Sequence, residues 1–206
     1  MSGDVRLPDT VRTIPEALGW WAKRTPDAPA LETLGAGTVS YAQLWQGVRR
    51  LRSQLHALGI GRGARVAVLV ADEFSLAVIL LAVISAATAV PLDPSLTTLE
   101  LERLLAQLDV DALLRSERNS GPNRPRAGAI PTVFVRGTDA SRIDGLRLDG
   151  HLHGRMPDRP APAAGDIATV YHTSGTTGTP RPAPHTQATL MIWGQASVRD
   201  FGLTSR

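Results

Sequence analysis

"YHTSGTTGTPRPAPHTQ", residues 171–187, crowds hydroxyls, glycines and prolines into one short span. It follows an apolar run, "DIATVYH" (166–172), that reads as a strand. Gly175 and Gly178 permit positive φ and bring the backbone close to a ligand. Successive backbone N–H groups in such a loop form an anion-binding concavity. Thr173, Ser174, Thr176 and Thr177 add rotatable hydroxyl donors, and Arg181 supplies a countercharge just beyond them. The combination suits a polyphosphate gripped without much fixed charge. It is not the P-loop of nucleoside triphosphatases, which needs four residues between its glycines and then Lys with Ser or Thr. The competing reading is a flexible Ser/Thr/Gly linker. Against it stand the loop's shortness, the strand before it, and its closure by proline and arginine.

Working outward, 187–200 reads as a helix, and the upstream chain alternates strands with helices. Thr13, Pro15 and Glu16 form a capping box with proline in the first turn, announcing the first helix. Residues 28–33 and 37–40 read as short strands. Ser40 with Gln43 caps a helix whose Leu44, Val48, Leu51, Leu55 and Leu58 make one buried stripe, with Gly59 as its stop. "RVAVLV" (65–70) is continuously apolar and β-branched, as a strand buried on both faces must be. An apolar helix over 73–86 and a strand at 88–92 follow. Thr97 with Glu100 starts another helix, with Leu96 stapled to Leu101 and Leu101, Leu104, Leu105 and Leu108 buried. Strands at 111–114 and 131–135 come next, and loops at 116–130 and 154–165. The pattern predicts an α/β fold with a mostly parallel sheet flanked by helices.

The bulk composition agrees. The chain has 206 residues, 43% of them apolar and 20% charged, with a net charge of +3. Lys23 is its one lysine, so arginine carries nearly all the positive charge. The basic residues are scattered, without the aromatic interleaving that stacks bases, so no nucleic-acid partner is expected. With no cysteine, thiol catalysis and thiolate metal sites are excluded. The N-terminus lacks the pattern of a secretory signal. The uncharged run from Ser75 to Leu92 is rich in Ala, Ser and Thr and ends at Pro91-Leu92. It reads as a buried helix passing into a buried strand rather than a membrane span, and a cytoplasmic location is expected. His151 and His153 lie two apart without a third metal ligand in view.

The opening stretch closely resembles the third core motif of the adenylate-forming superfamily: acyl-CoA synthetases, aryl-acid AMP ligases and the adenylation domains of nonribosomal peptide synthetases. Two further blocks match in order. "TVSYAQLWQGVRRLRSQLHALGIGRGARVAVLV" (38–70) resembles the first, and "LAVISAATAVPLDPSLT" (81–97) the second. The resemblance implies the large subdomain of that fold over residues 1–206, in part only, with a phosphate-binding loop at 173–181 and no C-terminal subdomain. It implies ATP and Mg²⁺ as cofactors, a carboxylic acid substrate, and release of pyrophosphate as an acyl-adenylate forms. Coenzyme A or a carrier protein would then accept the acyl group. Carried over by position, Thr173, Ser174, Thr176 and Thr177 donate hydroxyls to phosphate, Gly175 and Gly178 make the turns, Arg181 replaces the usual lysine, and Thr173 reaches Mg²⁺.

Departures from the family pattern are Arg181 for lysine, Pro182 for a glycine or small aliphatic residue, Gln187 for histidine and Ala86 for glycine. Pro182 is expected to remove a donor and stiffen the loop. The resemblance also implies that the adenine-holding block, the acyl pocket and the catalytic lysine lie outside this sequence. Hence the expectation is the N-terminal part of an adenylate-forming ligase, inactive alone, with no catalytic residue of its own. The alternatives are half of a split enzyme completed in trans by a C-terminal half, and a non-catalytic interaction protein that keeps the fold. The helix over 187–200 is expected to expose its apolar face, and the sheet an unpaired edge.

Overall fold

A computed structural model describes residues 7–33, 37–116, 130–137, 142–152, 160–173 and 181–201. Helix α1 (Ile14–Arg24) opens with the expected capping box: the Thr13 hydroxyl accepts from Glu16 N, and Glu16 accepts from Thr13 N. Strands β1 (Pro29–Thr33) and β2 (Gly37–Ser40) pair as an antiparallel ribbon. Helix α2 (Tyr41–Ala57) starts at the Ser40–Gln43 box and buries Leu44, Val48, Leu51 and Leu55. It stops in a Schellman motif: Ile60 N donates to Leu55 O at 2.8 Å and Gly59 N to His56 O at 2.9 Å. The motif needs a left-handed residue, and Gly59 provides φ 84° without a Cβ penalty.

The main sheet is built from β3 (Arg65–Leu69), β4 (Thr88–Pro91), β5 (Ala112–Ser116), β6 (Thr132–Arg136), β7 (Arg147–Asp149), β8 (Ile167–Thr173) and β9 (Arg181–Thr186). Their spatial order is β7-β6-β5-β3-β4-β8-β9. The five central strands are parallel, and β7 and β9 run antiparallel at the two edges. Alternate residues of β3 feed two cores. Val66 and Val68 face a core completed by α2 and by α3 (Glu73–Ile84), while Ala67 and Leu69 face α4 (Thr98–Leu108) through Leu101, Leu105 and Leu108. The uncharged run 75–92 therefore splits into α3 and β4, as its composition requires. No helix among the described residues is long and apolar enough to cross a membrane.

This topology positions a ligand. The connection leaving β3 runs through α3 on one face and the connection leaving β4 through α4 on the other, to β5 beyond β3. Where successive connections diverge to opposite faces, a crevice opens at the carboxyl ends of the strands, the usual binding place in open α/β sheets. Strand β8 lies beside β4 and ends at that same edge. Its start is fixed by Asp166, whose carboxylate accepts from Arg62 Nε at 2.7 Å and Nη2 at 2.8 Å and from Ala163 N at 2.7 Å. The Arg62 fork holds the Asp166 carboxyl below its usual range, against the opposing effect of burial. A depressed carboxylate pKa gives stability that is present above the unfolded-state value, about 3.9, and is lost as pH falls through the folded value. The gap in urea midpoint between wild type and Asp166→Asn is therefore expected to close as pH drops from 6 to below 4. A gap independent of pH would remove Asp166 from this role.

Three short elements escape the sequence pattern: β7, β9 and the 3₁₀ turn Ile143–Gly145. β9 covers "RPAPHT", whose prolines argue against a strand. It is tolerated because it lies at the edge. A proline nitrogen cannot donate, so in the pairing with β8 the donors toward it come from Arg181, Ala183 and His185, and Pro182 and Pro184 turn their nitrogens to the free side. The exposed edge expected from the sequence thus lacks N–H groups at those two positions, which blunts it against strand addition. Pro182 sits in this strand opposite His172, not in the loop it was expected to stiffen.

Candidate phosphate-binding site

Strands β8 and β9 form an antiparallel pair whose last register position sets Thr173 against Arg181. The glycine- and hydroxyl-rich segment joins these two ends at the carboxyl edge of the parallel sheet. Arg181, expected as the countercharge, is exposed at the first position of β9. Ser174, Gly175, Thr176, Thr177 and Gly178, and the side chain of Thr173, lie outside the described residues, as do His153, residues 117–129 of the first predicted loop and 154–159 of the second. Among the described residues no group of three His, Cys, Asp or Glu could hold a metal.

The surroundings of these strand ends are specific. His172 precedes Thr173 and is half-buried. Burial pushes its imidazole below the usual histidine range, so it is neutral at pH 7. Its Nε2 is buried and has no hydrogen-bond partner among the described residues. Sequence reasoning passed over His172 because one histidine at a strand end carries no pattern. Across the crevice, Asp93 of the second conserved block follows β4. Its carboxylate accepts from Ser95 N at 2.8 Å, and that bond keeps its pKa low. Asp93 is engaged in shaping its own turn.

The junction behind the loop is held by Gln187, the first residue of α5 (Gln187–Asp200) and fully buried. Its Oε1 accepts from Ile14 N at 3.0 Å and its Nε2 donates to Ile84 O at 2.8 Å. One side chain thereby ties β9 and α5 to the start of α1 and the end of α3. What looked like a departure from a family histidine is a satisfied buried bridge needing one donor and one acceptor, both of which an amide supplies. Met191 is the other buried residue of α5, while Ile192 is 63%, Trp193 50% and Val198 53% exposed, as is Phe201 just past the helix at 78%.

Comparison with known proteins agrees with this architecture. The sequence pattern of the family described as AMP-binding enzyme matches residues 18–204. Pyochelin synthetase PchF of Pseudomonas aeruginosa is 35% identical over 178 residues, covering 85% of this chain and 9% of that protein. Oxalate–CoA ligase of Arabidopsis thaliana is 32% identical over 174 residues, covering 82% of this chain and 34% of that one. Among solved structures, O-succinylbenzoate coenzyme A synthetase (MenE) of Bacillus subtilis, in complex with AMP, superposes with a TM-score of 0.71 at 22% identity, over 91% of this chain and 46% of that one. The N-terminal subdomain of Klebsiella oxytoca NpsA superposes with a TM-score of 0.67 at 20% identity, over 86% and 42%. The two structures share the fold, and the chain spans less than half the length of each of these four proteins. With three sequence blocks in order, a parallel sheet that carries the hydroxyl-glycine segment at its ligand edge, and a family pattern over residues 18–204, the chain belongs to the AMP-binding, adenylate-forming enzymes.

Proposed function

We propose that this chain forms the nucleotide-phosphate half of an ATP-dependent carboxylate-activating ligase, residues 1–206 being part of the large subdomain. The observation that carries the reading is the pairing of Thr173 with Arg181 at the carboxyl end of β8, which anchors both ends of the hydroxyl-glycine segment beside the crevice. In this reading Thr173, Ser174, Thr176 and Thr177 donate hydroxyls to the β- and γ-phosphates. Gly175 and Gly178 turn their backbone amides toward the same oxygens, and Arg181 neutralises charge. Such donors also stabilise a departing pyrophosphate when a carboxylate oxygen attacks the α-phosphorus and the α–β bridging bond breaks. Arg181 differs from lysine in offering a planar fork of donors, suited to two phosphate oxygens at once.

Mg²⁺ would enter with the triphosphate, Thr173 offering it a hydroxyl; the ion offsets phosphate charge during transfer. The carboxylic acid, and the coenzyme A or carrier protein that takes the acyl group, belong to parts of the site this chain does not supply. Adenylation then requires a complementing C-terminal half, in cis or in trans, and this chain alone is inactive. A non-catalytic interaction protein is the competing reading.

Grip on the β- and γ-phosphates makes affinity depend on phosphate number. The purified chain, titrated calorimetrically, is expected to bind ATP·Mg²⁺ at least about tenfold more tightly than ADP·Mg²⁺, and AMP most weakly, since each charge-assisted bond lost is worth about 1.5–3 kcal/mol. Equal affinity for the three nucleotides would contradict a phosphate grip, and no binding at all would favour the non-catalytic reading.

A further inference from the structure

Helices α1 and α2 enclose an open groove of about 520 Å³ on the surface away from the sheet, lined by Ala22, Lys23, Ala42, Trp45, Gln46, Arg49, Arg50 and Ser53. The α2 members recur at helical spacing and form one stripe, opposite the buried stripe of Leu44, Val48, Leu51 and Leu55. Its charge is one-sided. All seventeen residues of α2 include no Asp or Glu, and the groove lining contains three cations and no carboxylate. A solvated helix face usually mixes signs in i, i+4 pairs; this one does not.

The groove's three cations are not employed alike. Arg62, Arg136 and Arg199 are engaged by Asp166, Asp149 and Asp200 at 2.7, 2.7 and 2.8 Å. Arg50 is tied to the carbonyls of Ile143 and Leu146 and lies 3.6 Å from Asp144. The Lys23 ammonium and the Arg49 guanidinium, both on exposed residues, make no hydrogen bond or ion pair among the described residues. Trp45, half-buried and packed on the core, lines the same groove. It can lie there because position 19 is glycine: a Cβ at Gly19 would stand 3.2 Å from the indole Cζ2. The result is a concave surface that carries an indole, two uncommitted cations and the Gln46 amide, while the Ser53 hydroxyl donates to Arg49 O at 3.0 Å.

We propose that the groove between α1 and α2 docks an acidic segment of polypeptide, Lys23 and Arg49 taking carboxylates while an apolar side chain rests on Trp45. Charge complementarity sets the sign of the partner. The class follows from the indole, which is seated against Gly19 and the core rather than held out to stack bases, and from cations too few to track a phosphate backbone. The proposal stands independently of phosphate binding at the loop.

The test is fluorescence anisotropy of a labelled 18-residue amphipathic peptide with leucines on one helical face and glutamates on its flanks. Its counterpart has every glutamate replaced by glutamine, and a 20-nucleotide mixed-sequence DNA strand serves as competitor. The glutamate peptide is expected to bind saturably and the glutamine peptide not. Lys23→Glu combined with Arg49→Glu should weaken binding at least about tenfold, whereas Arg199→Glu on the distant α5 should leave it unchanged. These positions are exposed, so circular dichroism should be the same for all three proteins. Unaltered binding by the double variant, absence of binding, or tighter binding of the DNA strand in place of the peptide would each overturn the proposal.

Discussion

Gln187→Ala is expected to destabilise the chain by about 3 kcal/mol, which would lower the urea midpoint by more than about 1 M. The substitution strands two backbone groups at once, the Ile14 N–H and the Ile84 carbonyl. Each stranded buried group costs about 1–3 kcal/mol, more than the net worth of the bond that served it. The space left by a fully buried side chain adds a cavity term. Gln187→His is the discriminating control. A neutral imidazole also has one donor and one acceptor, so this variant should stay close to wild type near pH 8. An imidazolium has no acceptor for Ile14 N–H, so the folded state disfavours protonation and the histidine pKa falls on folding. The unfolded chain then binds the extra proton, and stability is lost as pH falls below about 6.5, the unfolded value. An alanine variant with an unchanged midpoint would show that the bridge contributes nothing.

Gln187 also shows where sequence reading stops. Its partners lie 173 and 103 residues away, and no local pattern reports a bridge of that span. What depends on spacing within one element was legible. The capping boxes at Thr13, Ser40 and Thr97 all form, the stop at Gly59 takes its left-handed turn, and "RVAVLV" is buried on both faces because helices cover both. What depends on neighbours in space was not legible. β9 is a strand despite Pro182 and Pro184 because only its inner side needs donors, and β7 is three residues held by pairing with β6. At the site, the chemistry of residues 173–181 was readable from composition and resemblance. The pairing of Thr173 with Arg181, and the buried Nε2 of His172 without a partner among the described residues, required the fold.

The open face of α5 has the physical meaning its sequence suggested. Trp193 stacks on His185 at a centroid distance of 4.4 Å, and His185 in turn lies 5.7 Å from Tyr171. Ile192, Val198 and Phe201 are exposed as well, at different angles around the helix axis. The free edge of β9, with no N–H at positions 182 and 184, disfavours strand addition.

The phosphate grip is tested most directly by calorimetric titration of ATP·Mg²⁺ into the purified chain and into its Thr176→Ala/Thr177→Ala form. Both hydroxyls are assigned to phosphate oxygens, and loss of two charge-assisted hydrogen bonds at about 1.5–3 kcal/mol each is a fall in affinity of about a hundredfold or more. The substitutions leave Gly175, Gly178 and the strand-end residues unaltered, and thermal unfolding is expected to be unchanged within about 0.5 kcal/mol. A phosphate grip gives saturable binding by the wild-type chain and none measurable by the double variant at equal stability. Equal binding by the two proteins would contradict it.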